Sequence, residues 1–241
     1  MALHVMLHTF FVAARAALLS PMRLLILVLS FAIAACHSTP PSTKAIEGAG
    51  RGLIAFDKAP PQGAKTYEQP TWHKGDRFVM LRGGHQRIAF TVSEVTGQGY
   101  TLTDESNNEL LRGLDLSTRG ERAHGETHNA HDLLPGDTRF HWPLWVGKRW
   151  RCEYLDKTLG GAVLPIETAY EVEGLDTVVV PAGTFQALRI LRTSRLIAEE
   201  KDAYLDRVSL AWYAPDIGME VRQVTGETSM TLVEWTGVER H

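Results

Sequence analysis

From about Thr71 onward, apolar side chains recur with a period of two. In Arg87-Ile88-Ala89-Phe90-Thr91-Val92-Ser93 the bulky residues 88, 90 and 92 alternate with small or polar ones. That pattern predicts a strand with one buried and one wet face. Phe78–Arg82 precedes it, and Gly83-Gly84 between the two supplies the positive φ angles of a two-residue hairpin. The design returns in Arg149–Tyr154, with Trp150, Cys152 and Tyr154 on one face and Arg149, Arg151 and Glu153 on the other. Gly160-Gly161 follows, and Glu167–Glu173 sets Thr168, Tyr170 and Val172 together. Thr177–Val180 and Phe185–Arg192 flank Pro181-Ala182-Gly183-Thr184, which fits a type I turn with Pro181 second and Gly183 fourth. Val208, Leu210 and Trp212 alternate ahead of Pro215-Asp216-Ile217-Gly218, and Met219–Val224 and Thr228–Trp235 finish the chain. No amphipathic helix stands out beyond residue 50.

Strand-length segments punctuated by Gly, Pro and Asp predict an all-β fold, an antiparallel barrel, half-barrel or sandwich. Gly75-Asp76-Arg77-Phe78 and Gly147-Lys148-Arg149-Trp150 open their segments alike. The recurrence suggests two similar β units, residues 51–140 and 141–241.

The N-terminal region follows another pattern. Met22-Arg23 is followed by the apolar run Leu24–Ala35, of 35 − 24 + 1 = 12 residues, and then by Cys36. As a helix the run would be about 18 Å long, too short for a bilayer core of about 30 Å. One positive charge, a short apolar run, small residues and a cysteine together resemble a bacterial lipoprotein signal. The resemblance implies that residues 1–35 are a signal peptide, that cleavage precedes Cys36, and that Cys36 carries a diacylglycerol anchored in a membrane. A second apolar run, Leu7–Leu19, is broken by Arg15 and ended by Ser20-Pro21, so either translation starts at Met22 or the leader is long and bipartite. Residues 36–50, rich in Pro, Ser, Thr and Gly, read as the lipidated N-terminus and a flexible tether. His37 stands where aspartate often marks inner-membrane retention, so the resemblance implies the periplasmic face of the outer membrane.

Three further segments carry a second resemblance: Trp142–Trp150, Val180–Ala187 and Trp212–Met219. They are similar to the "P-L-x-V-G-K-x-W", "V-P-A-G-T-F-x-A" and "W-Y-A-P-x-I/V-G" motifs of an uncharacterised group of bacterial exported β-rich proteins. The likeness runs over residues 142–235 and implies a fold, made of turns and core aromatics, but no activity.

Composition narrows the function. At 44% hydrophobic and 22% charged residues, the chain can bury a core. Without Arg15 and Arg23 of the leader, the formal charge is (25 − 2) − 28 = −5. A mildly acidic chain with scattered Lys and Arg argues against nucleic acid as a partner. With Cys36 lipidated, Cys152 is the one cysteine left, so no internal disulfide forms. Its phase with Trp150 and Tyr154 predicts a buried, poorly reactive thiol.

No nucleophile elbow, phosphate loop, dinucleotide fingerprint, zinc-protease helix or paired-cysteine site occurs. No catalytic residue is therefore assigned, and neither enzyme activity nor a cofactor is expected. Glu167, Glu171 and Glu173 are expected in cross-strand charge pairs with Arg149 and Arg151, and Arg189 and Arg192 on a solvated face. The aromatics Trp142, Trp145, Trp150, Tyr154, Tyr170 and Trp212 suit a packed core. A cupped sheet lined by Trp145, Trp150, Tyr154, Tyr170 and Trp212 would instead hold an acyl chain or another apolar ligand. The sharpest local anomaly is His124, His128, His131 and His141, four histidines within 141 − 124 + 1 = 18 positions. Gly120, Gly125, Pro135 and Gly136 predict a loop there, either a polar connector or a wrap around a divalent ion.

The leading expectation is thus a lipid-anchored periplasmic β domain of the cell envelope. Its role would be structural or non-enzymatic binding of a partner protein or an apolar ligand. The alternative is a periplasmic divalent-metal-binding protein that uses the His124–His141 loop.

Overall fold

A computed structural model describes residues 50–197 and 207–237 of the chain. The signal, Cys36 and the tether up to residue 49 lie outside the described residues. Among those described there are thirteen strands and no helix. The first arc comprises β1 (Gly52–Ala55), β2 (Arg77–Arg82), β3 (Gln86–Val95), β4 (Gly99–Asp104), β5 (Glu109–Gly113), β6 (Thr118–Arg122) and β7 (His131–Asp137). The second comprises β8 (Arg149–Thr158), β9 (Val163–Val180), β10 (Gly183–Leu196), β11 (Arg207–Ala214), β12 (Met219–Thr225) and β13 (Thr228–Thr236).

All pairings are antiparallel, β2 pairs with β13, and β8 pairs with both β7 and β9. Strands β2 to β13 therefore close into a twelve-stranded barrel, and β1 is an extra strand on β8. The described strands within residues 51–140 and 141–241, expected as two units, belong to one sheet around one interior. Closure leaves no free edge around the ring, which settles barrel over half-barrel or sandwich.

Local chemistry explains several departures from the expected pattern. The β2–β3 turn has three residues, not two, because the ladder resumes at Arg82↔Gln86 and His85 N–H donates to Arg82 O at 3.2 Å. Gly83 and Gly84 both take positive φ, as the hairpin requires. The β9–β10 link is Pro181-Ala182, with Val180 opposite Gly183, as the turn residues predict.

The histidine-rich connector proves to be half strand. Gly120 lies in β6, where a Cβ would come 2.6 Å from His131 O, so glycine is what lets β6 and β7 approach. Pro135 and Gly136 lie within β7. Pro135 has no N–H for a ladder bond, and β7 pairs with β8 only over residues 131–134. β1 takes the remainder of that edge, at Trp150–Glu153 of β8.

Strand β11 has the phase opposite to the one its bulk suggests. Ser209, Ala211 and Tyr213 are buried, while Val208 is exposed and Leu210 and Trp212 are half-buried on the outer face. Alternation defines two faces but not which is inner. Tyr213 decides it by packing its ring on Phe140 and Trp142, at centroid distances of 5.1 and 5.4 Å.

One end of the barrel is filled. Residues 67–76 and 138–148 cross it, joined by reciprocal backbone bonds of 2.8 Å between Tyr67 and Leu144. Indole N–H groups pin these segments: Trp72 to Gly218 O at 2.9 Å, Trp142 to Asp115 O at 3.0 Å, and Trp150 to Thr138 O at 2.8 Å. Gly218 has φ +69° and a Cβ there would stand 2.7 Å from Pro70, so glycine is required for this closure. Buried Lys148 donates to the carbonyls of His141 and Pro143 and lies 4.2 Å from the Trp145 ring centroid.

Trp150 is fully buried, stacked on Tyr170 at 5.0 Å, and bonded to the floor. Trp150→Ala should lower unfolding stability by about 3–5 kcal/mol, read as a shift in the urea midpoint. An unchanged midpoint would place the ring outside the cooperative core.

Candidate ligand-binding site

Above the filled end the barrel is hollow. A cavity of about 470 Å³ opens among inward residues of every strand of the ring except β9. Its apolar wall is built by period two: Phe78 and Met80 on β2, Leu102 on β4, Leu110 on β5 and Met230 on β13. Its polar wall holds Arg112, Asp137, Arg139, Arg192 and Glu220.

Asp137, the last residue of β7, gathers donors from three strands. Its Oδ1 accepts from Tyr170 O–H at 2.5 Å and from Cys152 S–H at 3.4 Å, and its Oδ2 accepts from Arg192 at 3.0 Å. Arg192 also donates to Tyr170 at 3.2 Å and to Tyr154 at 3.4 Å. Burial works against ionisation of Asp137, but Arg192, Arg139 and the Tyr170 and Cys152 donors outweigh it and hold the carboxyl below its usual range. Burial, together with the Asp137 charge, pushes the Cys152 thiol and the Tyr154 and Tyr170 phenols up. These three therefore stay protonated, Cys152 and Tyr170 as donors to Asp137.

Arg139, two residues further on, reaches across to β12 and donates to Glu220 at 2.7 and 2.9 Å. Arg112 on β5 has only neutral partners, Leu116 O at 3.2 Å and Thr118 Oγ1 at 2.7 Å. Its Nε is shut off from solvent without a hydrogen-bond partner, and among the described residues it makes no ion pair. Burial, and then the neighbouring Arg139 charge, bring its pKa down to about 10, still cationic at neutral pH.

The expected aromatic set is divided. Trp150, Tyr154 and Tyr170 share the interior, and of the five candidates Tyr154 lines the cavity. Trp145 is buried beneath the floor against Lys148. Trp212 lies outside the barrel, donating to Asp176 at 2.9 Å and facing Arg222 at 5.1 Å.

The histidines do not converge. His124 and His128 are exposed in the β6–β7 loop, and His131 pairs with Asp156 at 2.9 Å. His141 lies on the floor, its ring 6.5 Å from that of Trp150. β7 separates His131 from this floor by about 20 Å at the usual strand rise. No group of three or more His, Cys, Asp or Glu side chains is placed to hold a metal among the described residues. The sequence gathers these imidazoles; the extended strand disperses them.

The two arginines expected on a solvated face also part. Three positions apart on β10, they point to opposite sides: Arg189 outward, to Glu173 at 2.9 Å and Asp176 at 3.0 Å, and Arg192 inward to Asp137. Glu167 meets Arg151 at 3.0 Å and Arg195 at 2.6 Å, and so belongs to the cross-strand pairs expected of it. Arg112, Asp137, Arg139 and Glu220 escape sequence reasoning. Only Arg192 had a usable signal, its phase with the buried Leu188 and Ile190.

No family model and no curated protein matches the chain. Solved structures to which it is similar include the hypothetical lipoprotein YmcC from Escherichia coli K12, at 10% identity and a TM-score of 0.45, covering 68% of this chain and 85% of that one. A candidate exported protein with a YmcC-like fold from Bacteroides fragilis aligns at 12% identity and a TM-score of 0.38, covering 71% of this chain and 100% of its own. A candidate lipoprotein from Parabacteroides distasonis aligns at 13% identity and a TM-score of 0.41, covering 71% and 99%. At TM-scores below 0.5 these likenesses carry no inference about ligand or activity.

Asp137→Asn would leave Arg192 facing a neutral partner and should cost about 3–5 kcal/mol. Because the native carboxyl titrates below its unfolded value of about 3.9, its contribution is complete above that pH and is lost as pH falls through the native pKa. Wild-type urea midpoints should therefore fall more steeply below pH 4 than those of the variant. Parallel pH profiles would show that Asp137 is not held ionised.

Proposed function

We propose that this protein is a lipid-anchored lipoprotein of the bacterial cell envelope, on the periplasmic face of the outer membrane, whose barrel lumen binds a small, largely apolar molecule. The observation that carries the reading is the 470 Å³ cavity with its apolar wall inside the barrel. A hollow that opens to solvent leaves its apolar wall wetted, and covering that wall with an apolar group gains about 25 cal/mol per Å². The volume falls in the range of small-molecule sites.

The chemistry of the barrel interior favours binding over catalysis. Cys152 is buried and held as a thiol, and Lys148 is engaged with backbone carbonyls. The acids Asp137 and Glu220 are each locked on an arginine. The lipoprotein-like signal supports the anchor and the compartment, since a short apolar run ending at Cys36 cannot itself span a bilayer.

The exported full chain carrying Cys36→Ser, stripped of co-purifying lipid, should enhance and blue-shift the fluorescence of 1-N-phenylnaphthylamine. Met230→Trp, which fills the cavity from β13, should remove that enhancement. Probe binding that survives the filled lumen would move the site to the outer surface. The anchor is tested separately: Cys36→Ser should abolish palmitate labelling and release the protein from the membrane fraction. Unchanged labelling would end the lipoprotein reading.

A further inference from the structure

We infer that the lumen selects an amphiphile with a single anionic head, carboxylate or phosphate, and that Arg112 is the residue that holds the head. This inference rests on the binding role proposed above. Near the filled end the polar wall sets three guanidinium groups, Arg112, Arg139 and Arg192, against two carboxylates, Asp137 and Glu220, while Arg82, Arg207, Glu121 and Asp156 line the cavity nearer its mouth. The pairs Arg192–Asp137 at 3.0 Å and Arg139–Glu220 at 2.7 Å use up both acids. Arg112 is left with two neutral oxygens and a buried Nε that bonds to nothing. A half-buried cation without a counter-ion is costly, and an oxyanion that reaches the guanidinium's outer Nη2 from the cavity supplies the missing charge and takes a charged hydrogen bond.

Position supplies the orientation. β5 runs from Glu109 at the open end to Gly113 at the filled end, and Arg112 is its penultimate residue. Leu110, two residues nearer the mouth, and Leu102, Phe78 and Met80 form the wall beside it. An amphiphile therefore enters head first, its tail lying along the apolar strands. Arg82 and Arg207 also line the cavity and are exposed, adding positive charge on the way in. The one intramolecular competitor on the wall is Glu121 of β6, opposite Leu110, exposed and not bonded to Arg112 among the described residues. His131 and Asp156, also on the wall, are occupied with each other at 2.9 Å.

The test uses the exported full chain with Cys36→Ser and four probes of equal chain length, dodecanoate, dodecyl phosphate, dodecanol and dodecyltrimethylammonium, each below its micelle concentration. Displacement of 1-N-phenylnaphthylamine reports affinity. Both anions should bind about ten- to hundredfold more tightly than dodecanol, as a charged hydrogen bond to a buried partner implies, and the cation most weakly. Arg112→Gln should bring the anions down to the level of dodecanol and leave dodecanol unchanged. Glu121→Gln should leave anion binding equal or tighter. A phosphate or a carboxylate preference within the anion pair supports the inference either way and identifies the head.

Equal affinity of the wild type for dodecanoate and dodecanol would overturn the inference while leaving the lumen a binding site. So would an Arg112→Gln variant weakened equally toward every probe. Failure of the wild type to bind any of the four would overturn the binding role itself. Should Arg112→Gln not fold, the wild-type series alone decides.

Discussion

The ion pair between Asp137 and Arg192 is the constraint on which the interior depends. One carboxylate, at the end of β7, receives a thiol from β8, a phenol from β9 and a guanidinium from β10. Those strands include the β8–β9 pairing that closes the ring. Burying a charge is costly unless its partners are supplied, so the network constrains how four successive strands approach one another. The same demand orients Tyr154 and Tyr170 and keeps Cys152 protonated. Residues that look like reactive groups in isolation serve here as donors.

Around this seam the barrel divides into two regions with different physics. At one end, indole N–H bonds and stacked rings seal two crossing segments into a dense floor. At the other, twelve strands enclose more volume than their side chains fill. The residual positive charge lies where the regions meet, beside apolar walls. A hollow that sets a half-buried arginine without an ion pair beside apolar strands has a polarity of its own, and the proposed ligand class rests on that polarity.

Much of the architecture was legible in the chain. Alternation at Ile88, Phe90 and Val92, and at Trp150, Cys152 and Tyr154, marked strands and their inner faces. Gly83-Gly84 and Pro181-Ala182-Gly183 marked turns at the right places. The errors came where a local rule has two solutions. Val208, Leu210 and Trp212 alternate as a buried face would, yet lie outward because the smaller Ser209 and Ala211 share their side with Tyr213, which packs the floor. Pro135, Gly136 and Gly120 read as loop, yet are the residues that let β7 come close to β6 and then leave β8. The candidate site was less legible still. Arg112, Asp137, Arg139 and Glu220 belong to strands or turns with no distinctive pattern, and only closure of the ring brings them to one cavity.

The sequence by itself determined a run of short strands, their turns, a cysteine in phase with core aromatics, and a leader that resembles a lipoprotein signal. These are local properties, set by the pleat of a strand, by the φ freedom of glycine and by the length of an apolar run. The tertiary structure alone decided that the strands close into a ring, which face of β11 looks inward, and that four nearby histidines end up far apart. It also decided that arginines and acids distant in the chain meet inside the barrel. Each of those outcomes depends on pairing between strands far apart in sequence, and pairing is a property of the closed sheet that no window of residues contains.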